Sequence, residues 1–290
     1  MTEQPHTASC SLNVLLAKDA PKGVILRRGP TKWVQLILWH TATDSFEEGQ
    51  WFRGRIYPAG CDLSPDGSLF LYLALKERTP FRRQSSYTYK WTAVSRPPYF
   101  TALALWPLGD TQYGGGVFLN NQAVLLYRES AQAHPDHQPQ GLHVSASLEP
   151  DRLRKSSRDG WRLIQQGRFY FERTPRTPGY PLGRGITIRP YIWQKYHPSK
   201  RFHLVSEAYR EPHFKTIFLR YLIDTVSNKR TEIEGVSWVD WDQQGRLVFA
   251  RDGQLFASET PQSPLEVHMI ADFRANTPVS ILPPDWARRW

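Results

Sequence analysis

The sequence predicts an all-β fold of small, repeated, stacked sheets, and three observations carry the prediction. The first is residues 61–76, CDLSPDGSLFLYLALK: a short strand, a Ser-Pro-Asp-Gly turn, and a strand of unbroken apolar and aromatic residues. The second is the recurrence of related strand–turn–strand units at 116–128, 160–173 and 236–250. The third is an abundance of turn formers, 23 Pro and 19 Gly, against almost no segment with a helical period.

In the first unit, Pro65 presets φ for a turn, Asp66 bonds its own following backbone, and Gly67 supplies the positive φ that closes it. Residues 69–74 contain no alternating polar positions, so they read as a strand buried on both faces, inside a stack of sheets. Ahead of this unit, 23–52 reads as an antiparallel meander of three strands, with turns at Gly29-Pro30 and Thr43-Asp44-Ser45. Its Trp33, Trp39 and Trp51 are read as sheet-packing aromatics rather than a ligand platform. Strands are expected at 87–94 and 99–106, interrupted by Arg96-Pro97-Pro98. The second unit turns at Asn120-Asn121 and the third at Gln165-Gln166-Gly167, each joining two apolar strands. In the fourth, Asp242 and Gly245 are expected where Asp66 and Gly67 stand, and 251–254 is a hairpin turn. Helix is confined to a turn or so at 147–155 and 285–290, where Glu149 and Asp285 lie near the N-terminal ends.

The units begin near positions 62, 117, 160 and 236, at spacings of about 55, 43 and 76 residues. A repeat of ~40–50 residues with four strands is the size of a propeller blade, and the excesses fit inserted loops. With the 23–52 meander as a further blade, the expected fold is an all-β, five-bladed β-propeller. It occupies 23–290 as a single domain after an N-terminal segment 1–22, with insertions near 129–158 and 174–201. Six or seven blades, or an irregular β-sandwich, are the alternatives. The turn and following strand resemble the repeat of TolB-like and WD40-like β-propellers, through Asp62, Ser64, Pro65, Asp66 and Gly67. Asp240, Trp241, Asp242, Gly245 and Arg246 echo it. The WD40 Gly-His and Trp-Asp dipeptides do not both occur in any unit, although Trp241-Asp242 occurs once. The chain is also similar to bacterial proteins with a propeller-type repeat, and this resemblance implies no activity.

Charge is the second global signal. There are 37 Lys+Arg against 27 Asp+Glu, a formal +10, and 27 of the 37 cations are Arg. Arg favours bidentate contact with carboxylate or phosphate and stacks on aromatics, which suits an anionic partner. The structural alternative is that Arg stems cover aromatic-rich sheet edges. Cys10 and Cys61 are too few for a disulfide framework and lie in no metal-type spacing, so a reducing compartment is expected. The N-terminus lacks a basic n-region, and no stretch approaches the ~20 apolar residues that span a bilayer. A cytoplasmic protein with no membrane partner is expected.

Catalytic signatures are missing. There is no GxSxG, P-loop or dinucleotide fingerprint. Asp62, Asp66, Asp240 and Asp242 could pair as acid and base in a propeller hydrolase, but their turn role already explains Asp66 and Asp242. His134, Asp136, His137 and His143 are candidate metal ligands, set in a Pro- and Gln-rich stretch that reads as a solvated loop. No cofactor is expected. The stretch best suited to function is 168–201, where cations and rings interleave and only Glu172 is acidic. Its candidate contact residues are Arg173, Arg176, Tyr180, Arg184, Arg189, Tyr191, Trp193, Lys195, Tyr196 and Arg201. Such a mixture is the composition of a protein-binding hot spot and also of a single-strand or RNA-binding surface. The expected role is a non-catalytic scaffold binding another protein, with nucleic acid as the alternative partner. Arg82, Arg83, Arg152, Arg154, Lys155 and Arg158 would extend the basic surface.

Overall fold

The structure, a computed structural model, describes residues 10–76, 87–109, 113–148, 159–172, 184–210, 216–260 and 263–290, with backbone alone at 169–172, 184–187 and 210. The fold is all-β, and the strands among these residues gather into six small sheets. Two compact units result: Met1–Pro150 with Ser237–Trp290, and Asp151–Val236.

The first unit opens with the sheet β1 (Ser11–Leu16), β2 (Lys22–Arg28), β3 (Trp33–His40) and β4 (Ser45–Arg53), paired in that order. In the second sheet, β5 (Arg55–Ile56) and β6 (Asp62–Leu63) both pair with β7 (Phe70–Leu75), which continues into β8 (Lys90–Ser95) and β9 (Ala104–Pro107). The third holds β10 (Gly116–Asn120), β11 (Ala123–Leu126) and β12 (His143–Ala146), with β11 and β12 parallel.

The second unit contains β13 (Arg162–Gln165), β14 (Arg168–Glu172), β15 (Arg184–Arg189), β16 (Tyr191–Tyr196), β17 (Phe202–Arg210), β18 (Thr216–Asp224) and β19 (Lys229–Glu232). The order β13-β16-β17-β18-β19 forms one sheet, and β14 and β15 form a separate ribbon. The chain then returns to the first unit with β20 (Val236–Trp241), β21 (Leu247–Arg251), β22 (Gln254–Ser258) and β23 (Val267–Asp272).

The period of two along each strand explains why the first unit stacks. On β3, Val34, Leu36 and Leu38 face one core, while Ile37 and Trp39 face another. The first core joins the β1–β4 sheet to the β5–β9 sheet through Phe70, Tyr72 and Ala74. The second joins it to the last sheet through Val248, Ala250, Leu255 and Ala257. On β7, Leu71 turns the other way, to a third core shared with Phe118, Val124 and Leu126 of the third sheet. Four sheets therefore stack face to face, each inner one apolar on both sides, as the unbroken 69–74 run requires. Edge strands are bridged as well: the Ser237 hydroxyl donates to Leu12 O at 2.8 Å, and the Phe118 N–H donates to the Asp62 carboxylate at 2.6 Å.

The turns follow their residues. In the 64–67 turn the Gly67 N–H donates to Ser64 O at 2.8 Å, and the Asp66 carboxylate accepts from the Ser64 and Ser68 hydroxyls and the Ser68 N–H. In the fourth unit the Gly245 N–H donates to Asp242 O at 2.9 Å. Asp242 thus occupies the place of Ser64 rather than that of Asp66, two residues earlier in the turn. The hairpin at 251–254 has Asp252 and Gly253 at φ +48° and +79°, both left-handed, as a type I′ turn demands.

Three expectations change. Residues 11–16 form the first strand of the first sheet, paired with β2 along its whole length. In the third unit, β13 and β14 do not pair with each other: β13 joins β16 and β14 joins β15. The 131–142 stretch is held rather than loose, because Leu105 N–H donates to His137 O at 3.2 Å and His134 N–H donates to Leu105 O at 2.8 Å, extending the β9 edge. The Trp290 indole donates to Gln138 O at 3.0 Å on the same stretch. Of the two expected helical turns, Asp285–Ala287 is a single 3-10 turn, and the other lies largely outside the described residues.

Some arginines are structural. Arg27 is fully buried, with Nε donating to Phe273 O at 2.9 Å, Nη2 to Arg274 O at 3.2 Å and Nη1 to Gly29 O, and the guanidinium lies 5.2 Å from the Trp51 ring centre. Burial lowers its pKa, and the three carbonyls replace the water it has lost.

Candidate functional site

The basic charge of this protein is not spread over its fold. The Asp151–Val236 unit carries 18 of the 37 Lys+Arg and only 8 of the 27 Asp+Glu. That surplus of ten equals the formal net charge of the whole chain, so the first unit is formally neutral. The functional stretch picked from sequence lies inside the charged unit.

Strand β16, YIWQKY, carries four of the candidate residues, and its pleat divides them. Tyr191, Trp193 and Lys195 share one face, and Tyr196 lies on the opposite face with Ile192 and Gln194. Tyr191 and Trp193 stack on each other with ring centres 5.5 Å apart at 18°, and both are half-buried. Their cross-strand partners on β17 are Ala208 and Ser206, and Ser206 is in turn opposite Arg220 on β18. Arg220 Nη1 donates to Val236 O at 2.8 Å, its guanidinium lies 5.2 Å from the Phe218 ring centre, and burial lowers its pKa to about 10. This face is an aromatic and cationic surface floored by small side chains.

On the opposite face Tyr196 meets His203, ring centres 5.0 Å apart. Beside them lies a closed polar network that the sequence did not reveal. The Glu207 carboxylate accepts from Arg230 Nη2 at 2.8 Å and from the Tyr209 hydroxyl at 2.7 Å, and the Arg230 guanidinium sits 3.5 Å from the Tyr221 ring centre. Strand register brings together residues 23 positions apart, as for Glu207 and Arg230, and no local motif encodes that. The Glu207 carboxylate holds the Tyr209 phenol in its neutral form and pushes its pKa up to about 12. A raised folded-state pKa contributes stability that is present below the ordinary tyrosine value of ~10. That stability is lost as pH rises through about 12. An absorbance titration of tyrosinate should therefore show one tyrosine fewer in the late-titrating group in Glu207→Gln, as Tyr209 returns to the ordinary range; an unchanged curve would contradict the network.

Of the other candidates, Arg189 is exposed and its Nε donates to Gln166 O at 2.8 Å, which fixes the junction of β15 and β16. Arg201 is exposed beside the Phe202 ring, 4.9 Å from its centre, and 3.6 Å from the Asp224 carboxylate. Arg184 begins β15, described by backbone alone, and Arg173, Arg176 and Tyr180 lie outside the described residues. The same is true of Arg82, Arg83, Arg152, Arg154, Lys155 and Arg158.

The carboxylates considered for acid–base chemistry hold backbone. Asp62 accepts from Phe118 N–H, Asp66 closes its own turn, and Asp240 accepts from Trp241 N–H at 2.7 Å. Asp242 accepts from the N–H groups of Gln244 and Arg246 at 2.9 and 2.8 Å and from Arg246 Nε at 2.8 Å. Among the described residues, no three of His, Cys, Asp and Glu come together in a way that could hold a metal ion. His134 is buried and stacked on Tyr87 at 4.0 Å, with His137 5.9 Å from the same ring, and His143 lies exposed on β12. Among the described residues no helix is long and apolar enough to cross a membrane. What these observations define is an all-β protein of stacked small sheets, with clusters of aromatic and charged side chains suited to binding protein. No family model and no curated protein matches the chain.

Proposed function

We propose that this protein is a non-catalytic recognition protein that binds a protein partner through the Arg- and aromatic-rich surface of Asp151–Val236. The observation that carries this reading is the confinement of the net charge to that unit, together with the ring and guanidinium surface around β16. Trp, Tyr and Arg are the side chains that dominate protein interfaces. The candidate contacts remain those at 173–201, with Trp193 and Arg189 at their centre. In this reading the small sheets are blades of a five-bladed propeller of TolB- or WD40-like type, in a cytoplasmic protein. The stacking of successive sheets in the first unit supports it. A second reading, nucleic acid as partner, draws on the same surplus of ten cations over anions. It requires affinity to fall steeply with salt as counterions are released.

The test is capture of a partner by the intact chain, compared with the Arg189→Ala/Trp193→Ala variant. Loss of capture with an unchanged circular-dichroism spectrum and melting transition is expected, and undiminished capture would exclude this surface.

A further inference from the structure

The β16–β17 and β18–β19 turns, at one end of the β13-β16-β17-β18-β19 sheet, are sewn side by side. Thr225 donates to Arg201 O through both its N–H and its hydroxyl, each at 2.8 Å. The 197–201 turn is braced from within, with the Lys200 N–H donating to His197 O at 2.8 Å and the Ser199 N–H donating to His197 Nδ1 at 3.1 Å. This places Lys200 and Arg201 on exposed turn positions with Val226 at 79% exposure, and Lys229 exposed where β19 begins. The one carboxylate built into these turns is Asp224, which accepts from the Val226 N–H at 2.9 Å and pairs with Arg201. Arg230, the next cation along β19, is committed to Glu207 and the Tyr221 ring.

We propose that this turn end docks an acidic peptide segment of a partner protein, with Lys200 and Lys229 meeting its carboxylates beside the Arg201–Asp224 pair and Val226 receiving an apolar side chain among them. The inference rests on reading Asp151–Val236 as the recognising unit, and it adds the chemistry of what is recognised. Charge complementarity selects an acidic occupant, since three exposed cations stand against one carboxylate already satisfied locally. The exposed apolar side chain of Val226 selects protein over nucleic acid. Single strands need open aromatic faces in succession. Here Tyr191 and Trp193 stack on one another, and Tyr196 is on the other face of the sheet. An exposed valine offers a base nothing to stack on.

The experiment is fluorescence anisotropy of the full chain with a labelled peptide of Glu and Asp residues around one Leu. The same peptide in Gln and Asn, and an oligothymidylate of equal charge, serve as comparisons. Binding of the acidic peptide, none of the neutral one, and about tenfold or greater weakening in Lys200→Glu/Lys229→Glu are expected. The idea is overturned if the acidic peptide does not bind, if the double reversal leaves its affinity unchanged, or if the oligothymidylate binds more tightly. If it is overturned while partner capture still depends on Arg189 and Trp193, the recognition reading stands without the acidic ligand. If capture fails too, both fall.

Discussion

Replacing Arg246 by alanine is expected to destabilise the first unit by about 3–5 kcal/mol, the cost of leaving a buried charge without its partner. Arg246 Nε meets the Asp242 carboxylate at 2.8 Å, and Nη1 and Nη2 make a two-pronged contact with Asp44 at 2.8 and 3.0 Å. Nη2 also donates to Thr41 O at 3.1 Å. One side chain of the last sheet therefore fastens the β3–β4 turn of the first. The Asp242 side chain is 0% exposed, and burial pushes its carboxyl upward against the pull of the Arg246 guanidinium. Removing the guanidinium leaves the burial opposed only by the Gln244 and Arg246 backbone N–H groups. The Asp44 carboxylate, which also accepts from the Trp39 indole at 3.1 Å, loses its partner at the same time. Denaturant unfolding should show the midpoint falling with little change in slope, and Asp242→Asn combined with Arg246→Met should recover part of the loss. A loss under about 1 kcal/mol would place the pair among ordinary surface ion pairs and contradict the account.

Substituting Gly49 by alanine should cost about 3 kcal/mol, at the upper end of what overpacking does. Between Gln35 and Ile37 the β3–β4 register slips, so that Leu36 faces two residues, Gly49 and Gln50. Into this bulge the neighbouring turn presses its backbone, with Gln50 N–H donating to Pro98 O at 3.0 Å. A Cβ on residue 49 would lie 1.9 Å from Pro98 O and 2.7 Å from Leu36 O. Both obstacles are backbone, so neither can rotate aside. Gln50 continues the junction, accepting from Phe100 N–H at 2.8 Å and donating to Ile281 O at 2.9 Å. A Gly49→Ala protein as stable as its parent would mean that the first two sheets do not approach this closely.

Local chemistry explains what was legible beforehand. The 64–67 turn, the 69–74 strand, the meander from 23 to 52 and the 251–254 hairpin each depend on neighbours in sequence, and each formed as its residues required. Strand β1 is hard to read locally because Asn13 breaks its apolar run, yet alternation sends Leu12 and Val14 to one core and Leu15 to the other. The third unit departs from the rule that adjacent strands usually pair. There the partners of β13 and β14 come from later in the chain, and the Tyr191 ring lies so close to Gly167 that a Cβ would fall 2.2 Å from it. At the candidate site, the residue types were readable but their division over two faces followed from the pleat of β16. The network of Glu207, Tyr209, Tyr221 and Arg230 depends on register among three strands, which composition cannot supply.

On the recognition reading, partner binding belongs to Asp151–Val236 and not to the neutral unit. Partner capture by the intact chain tests it most directly, with Arg189→Ala/Trp193→Ala set beside Arg53→Ala/Arg55→Ala, a pair of exposed arginines of the first unit. Loss of capture in the first variant alone is the predicted result. Equal capture by all three proteins, or loss only when Arg53 and Arg55 are removed, would contradict it.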